Sequence, residues 1–164
     1  MLTSRYPNTC VERFLEYVRY DTQSSEESDT YPSTPGQLDL LRRLADECRE
    51  LGLADVEMDE HGYVFATIPA TSEYPDVPVI GFLAHVDTSP DASGRDVRAI
   101  VHENYDGGDI VLPDDPSAVI TAADNPALAA QRGNDIITAS GTTLLGADNK
   151  AGVAEIMAAA EYLV

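Results

Sequence analysis

The chain has 164 residues, 43 % of them hydrophobic and 24 % charged, which suits one globular unit with a sizeable core. Its formal net charge of −19 argues strongly against nucleic acid or an anionic membrane as a partner, because phosphate would be repelled. No apolar run approaches the ~18 residues of a membrane span, and the opening Met-Leu-Thr-Ser-Arg-Tyr-Pro has no apolar signal core. The expected compartment is therefore the cytoplasm. The acidity by itself marks no cation site and reads as a solvated surface.

Thr9 and Glu12 have the spacing of a capping box, and Val11, Phe14, Leu15 and Val18 follow at helical intervals, predicting a helix that ends near Tyr20. The polar stretch from Asp21 to Ser33 reads as a loop. Thr34, Pro35 and Gln37 then start a second helix, whose face carries Leu38, Leu41, Ala45 and Cys48 and which Gly52 ends. Strands near Asp55–Met58 and Tyr63–Ile68, joined by a turn at His61-Gly62, suggest a hairpin. Cys10 and Cys48 belong to no Cys-x-x-Cys pair, so buried free thiols are expected rather than a thiolate zinc site.

After Pro78, the run Val79-Ile80-Gly81-Phe82-Leu83-Ala84 is nearly all apolar, the pattern of a strand covered on both faces in an α/β sheet. Asp91 to Arg132 is rich in Asp, Gly, Ala and Pro and reads as an excursion from the core, with a strand at Asp109–Leu112. Ile136–Ala139 is a further short strand. The last helix begins after Asp148-Asn149, with Val153, Ile156, Met157 and Ala160 as its apolar stripe. That pattern is still helical at Val164, without a cap, and is expected to mark a truncated domain.

Two places can carry chemistry. His85 and Asp87 follow the apolar strand, and in extended chain positions i and i+2 share a face. Ligands of open α/β sheets bind beyond the carboxyl ends of strands. Imidazole suits zinc, and a neighbouring carboxylate fixes its tautomer. The plainer reading is a strand-end histidine bonded to a neighbour. The second place is Gly146-Ala147-Asp148-Asn149-Lys150, where a small-residue turn delivers an aspartate to a helix start. Its plainer reading is an N-cap, with either Asp148 or Asn149 accepting backbone N–H bonds.

Taken together, Gly81-Phe82-Leu83-Ala84-His85-Val86-Asp87-Thr88-Ser89-Pro90-Asp91 and Leu144-Leu145-Gly146-Ala147-Asp148-Asn149-Lys150-Ala151-Gly152 resemble peptidase T. This is a family of tripeptide aminopeptidases in the dizinc clan that also includes aminoacylase and carboxypeptidase G. The resemblance implies that His85 ligates one zinc, that Asp148 bridges two, and that Asp87, the candidate catalytic residue, orients His85. It further implies a cis peptide between Asp148 and Asn149. Asn149 stands where such enzymes often have a second Asp, a position not expected to ligate metal. The family's other zinc ligands, general-base glutamate and lid domain would lie beyond Val164.

The expected fold is accordingly α/β, a mixed sheet flanked by helices of the zinc-exopeptidase type, incomplete at its C-terminal side, with residues 1–164 forming the N-terminal part of a catalytic domain. The expected function of the complete protein is release of the N-terminal residue from tripeptides with two zinc ions, the chain alone being inactive. A related dipeptidase or N-acyl amino acid hydrolase, or a non-catalytic binding domain, are the alternatives. Short peptides are the expected partners, with self-association through exposed truncated surface. His61 and His102 read as surface histidines outside the site.

Overall fold

The computed structural model describes residues 9–74 and 76–164. Three helices supply the core: α1 (Thr9–Tyr17), α2 (Pro35–Glu50) and α4 (Ala147–Leu163), with a single turn, α3 (Pro126–Ala129), between the last two. The Thr9 side chain, expected to cap α1, lies outside the described residues, as do the opening residues on which the reading of no signal segment rests. Phe14, Tyr17 and Val18 from the first helical segment meet Leu40, Leu44 and Cys48 of α2 and Val153, Ala154 and Met157 of α4. Val86 joins the same cluster from the chain just after the long apolar run.

The helical periodicity places the right elements but not always the right stripe. In α2, Leu40, Leu44, Ala45 and Cys48 are buried. Leu38 and Leu41 are half-buried, and both lie beside the turn at Gly62, where an added Cβ would come 3.0 Å from Leu41 Cδ1. Thr34 gives no side-chain cap to α2; its hydroxyl instead donates to Gln23 O at 2.7 Å. Gly52, with φ +78°, ends the segment as expected. Both cysteines are free thiols, Cys48 buried and Cys10 half-buried.

The expected hairpin is present: β1 (Ala54–Met58) pairs antiparallel with β2 (Val64–Thr67). Asp59 builds its turn, accepting the N–H groups of His61 and Tyr63 at 2.9 and 2.8 Å. β3 (Ile100–His102) pairs with β6 (Ile136–Thr138), and β4 (Ile110–Leu112) with β5 (Asp115–Ile120), both antiparallel. The excursion between Asp91 and Arg132 is thus more ordered than its composition suggests. His102 is half-buried on β3, its Nε2 2.9 Å from Thr138 Oγ1, rather than a surface histidine.

The architecture therefore combines helices with small antiparallel sheets, compatible with the α/β class. It departs from one mixed sheet: among the described residues the strands form three two-stranded ribbons. The run 79–84 is unpaired, with Val79 fully exposed and Leu83 89 % exposed. The physical reason is that apolar character records a preference for burial, whereas a strand also needs a neighbour to accept its backbone bonds. No described segment lies alongside this run.

The helices are fastened to one another by a buried polar group. Glu47 of α2 accepts Arg13 Nε at 2.5 Å and Tyr17 OH at 2.6 Å, while Arg13 Nη1 reaches Glu161 at 2.7 Å. Burial, followed by the bond to Glu47, raises the Tyr17 phenol well above its ordinary pKa, so it stays a donor. Removing Glu47 leaves the buried Tyr17 hydroxyl and the half-buried Arg13 Nε without an acceptor, while Arg13 Nη1 keeps Glu161. Glu47→Ala should lower the unfolding free energy by about 3–5 kcal/mol. Arg42→Ala, which breaks only the exposed Asp39 pair, should change it by less than about 1 kcal/mol. Urea denaturation of both variants checks the contrast; equal losses would refute it.

Candidate metal centre

From Ala84 the chain turns from exposed run to alternating chain. Val86 and Thr88 are buried and His85 and Asp87 face outward. Extended chain dictates this alternation, and a short ladder fixes its phase. Thr88 N–H donates to Thr22 O at 3.1 Å, Ser24 N–H donates to Thr88 O at 2.9 Å, and Gln23 and Thr88 form a parallel bridge. Thr22 is itself buried and donates Oγ1 to Val86 O at 2.6 Å. The backbone between His85 and Asp87 is thereby held from the interior, leaving their side chains free.

The turn that brings the second place into position depends on Gly146 at φ +78°. An added Cβ there would stand 3.0 Å from Thr88 Cγ2, so the turn lies against the ladder. The backbone then leaves helical values at Asp148 (φ −90°, ψ 102°) and Asn149 (φ −123°, ψ 32°), and the peptide between them is cis. The geometry separates the two residues that sequence left as alternative caps. Asn149 Oδ1 accepts Gly152 N–H at 3.2 Å and caps the helix. Asp148 caps nothing, and its side chain is 95 % exposed.

Asp148 instead faces His85. His85 Nε2 lies 3.0 Å from Asp148 Oδ1, although 63 positions separate them in sequence. On the other side of the ring, Nδ1 lies 3.1 Å from both the carboxylate Oδ1 and the backbone O of Asp87. Those Asp87 atoms can only accept, so Nδ1 carries a hydrogen, and the lone pair of the neutral ring is then on Nε2. A lone pair facing a carboxylate oxygen at this distance requires a cation between them, a proton or a metal ion. Two donors on a tetrahedral zinc at about 2.0–2.1 Å would be about 3.3 Å apart, close to the separation found. The residues fit one edge of a zinc site. Among the described residues no group of three or more such donors occurs, so the edge is all they supply.

Lys150 is the residue whose place the sequence did not signal beyond its being the chain's single lysine. It is 1 % exposed, and its Nζ donates to Tyr20 O at 2.8 Å. Burial pushes its ammonium down to about 8, with Asp21 opposing. His61 is exposed in its turn and far in sequence from this centre, 3.8 Å from Glu60.

Comparison with known proteins settles what the chain is related to. Over 154 residues, 94 % of its length, it is 53 % identical to "Peptidase T" of Bacillus mycoides strain KBAB4. Over 157 residues, 96 % of its length, it is 52 % identical to "Peptidase T" of Bacillus velezensis and of a Geobacillus species. The chain is homologous to peptidase T. It spans 37–38 % of the length of these peptidase T relatives. No family model matches it.

The division of labour at the helix start can be measured on the metal-free protein. Asn149→Ala should destabilise it by about 1 kcal/mol through loss of the cap. Asp148→Ala, at an exposed side chain, should change stability by less than about 0.5 kcal/mol. A thermal unfolding series in which Asp148→Ala is the more harmful variant would contradict the assignment of the cap.

Proposed function

We propose that this chain is the N-terminal part of the catalytic domain of a dizinc aminopeptidase, which releases the N-terminal residue from tripeptides in the cytoplasm. The observation that carries the reading is His85 Nε2 facing Asp148 Oδ1 at 3.0 Å within a segment 53 % identical to peptidase T. In this reading His85 is a terminal zinc ligand, Asp148 is the carboxylate shared by two ions, and the chain adopts the zinc-exopeptidase type of fold. The exposed apolar run 79–84 supports its being an interior strand of a larger domain.

The chain's own residues do the positioning. Asp87 accepts from Nδ1, which fixes the ring and makes Nε2 the better donor. The exposure of Asp148 leaves its second oxygen open to a further cation. Bound zinc would supply polarisation of a peptide carbonyl and acidification of a water molecule. Two donors do not complete that chemistry, so the chain alone should bind zinc weakly and hydrolyse nothing.

Equilibrium dialysis against zinc alone tests the ligand assignment. His85→Ala should abolish zinc binding, whereas His102→Ala, on the β3–β6 ribbon, should leave it unchanged. Equal affinity in the two variants would sink the assignment. The activity is tested on the longer protein with a tripeptide, where the free N-terminal residue should appear, and should fail to appear after chelation or in His85→Ala. An intact tripeptide with the zinc-loaded protein would overturn the aminopeptidase reading and favour a related hydrolase or a binding domain.

A further inference from the structure

The bond between His85 and Asp148 joins two exposed side chains, and such pairs hold little on their own. Something else must set the distance between backbones 63 positions apart in sequence. The segment 20–24 is bonded to both. Toward the His85 side, Thr22 Oγ1 donates to Val86 O at 2.6 Å, and the backbone ladder with Thr88 adds bonds of 3.1 and 2.9 Å. Toward the Asp148 side, Lys150 Nζ donates to Tyr20 O at 2.8 Å.

The segment is also fixed from behind. Thr34, at the start of α2, donates to Gln23 O at 2.7 Å. A Cβ added at Gly36 would stand 2.1 Å from Asp21 O, so the helix backs directly onto the segment. Gln23 Nε2 adds bonds to Pro90 O and Ala92 O at 2.9 and 3.1 Å. An apolar side chain in place of Lys150 would avoid burying an ammonium but could not reach the Tyr20 carbonyl as a donor.

We propose that Lys150 and Thr22 are positioning residues of the metal centre, which clasp segment 20–24 between the two ligand-bearing segments and so set the separation of His85 and Asp148. The proposal rests on the reading that those two residues hold a metal ion. Lys150 acts on Asp148 through the Tyr20 carbonyl, and Thr22 acts on His85 through the Val86 carbonyl. Neither side chain is hydrogen-bonded to His85 or Asp148.

The test uses the full chain and the variants Lys150→Met and Thr22→Val, with two readouts. The first is amide hydrogen exchange without metal, where Thr88 and Ser24 should lose protection in both variants while Leu44 and Met157 in the helical core keep theirs. The second is zinc affinity by calorimetry, expected to fall about 10–100-fold in both, the scale seen when groups behind metal ligands are removed. A merely structural role would lower stability and leave the zinc affinity of the folded protein unchanged. Wild-type zinc affinity in the folded variants, or wild-type exchange at Thr88, would overturn the proposal. If Lys150→Met does not fold, Thr22→Val decides by the same readouts. If the unaltered chain binds no zinc, the metal reading fails separately, and the clasp stands or falls on the exchange at Thr88.

Discussion

The geometry of this molecule depends on the short ladder between residues 22–24 and 86–88. Two backbone bonds and the Thr22 hydroxyl fix the phase of the alternation that buries Val86 and Thr88. A shift of one residue would exchange faces, sending His85 and Asp87 inward and Val86 into water. Val86 is part of the cluster shared by the three long helices, so the core and the candidate centre constrain each other. Burial selects the face, and the ladder holds it.

Behind the ladder the helices are joined by apolar contacts and by the carboxylate of Glu47, which takes bonds from two residues of α1. A buried carboxylate is tolerated when it is paired and hydrogen-bonded, and here each oxygen has one donor from another helix. The acidic chain thus uses an arginine and a tyrosine to keep one glutamate inside, while most of its carboxylates remain at the surface. Asp87 and Asp148 belong to that outer population, yet both converge on one imidazole. Their convergence, rather than the net charge, makes the centre distinctive.

The helices were legible because a 3.6-residue apolar period, Pro35 at a helix start and Gly52 at an end all act locally. The β1–β2 hairpin was legible for the same reason, through the turn at His61-Gly62, although the part Asp59 plays in that turn was not. What was not legible depended on partners distant in sequence. Val79 to Ala84 has a strand's composition, but pairing is a property of two segments. β5 contains Pro116 among polar residues, which hides it in a sequence window, and the burial of His102 follows from pairing with the strand that carries Thr138. At the centre, sequence singled out His85, Asp87 and Asp148, but it left Asp148 and Asn149 equivalent as caps. The fold separates them, through the backbone angles at both residues and the bond from Gly152 N–H to Asn149 Oδ1. Lys150 could be noticed as a lone lysine, not as one buried against Tyr20.

The central claim is that a metal ion sits between the imidazole of His85 and the carboxylate of Asp148. X-ray absorption spectroscopy of the zinc-loaded chain tests it most directly. The account predicts a nitrogen and oxygen coordination shell with the multiple scattering of one imidazole and no sulfur. A zinc–sulfur distance of about 2.3 Å, which would implicate Cys10 or Cys48, or the signature of two imidazoles, would contradict it.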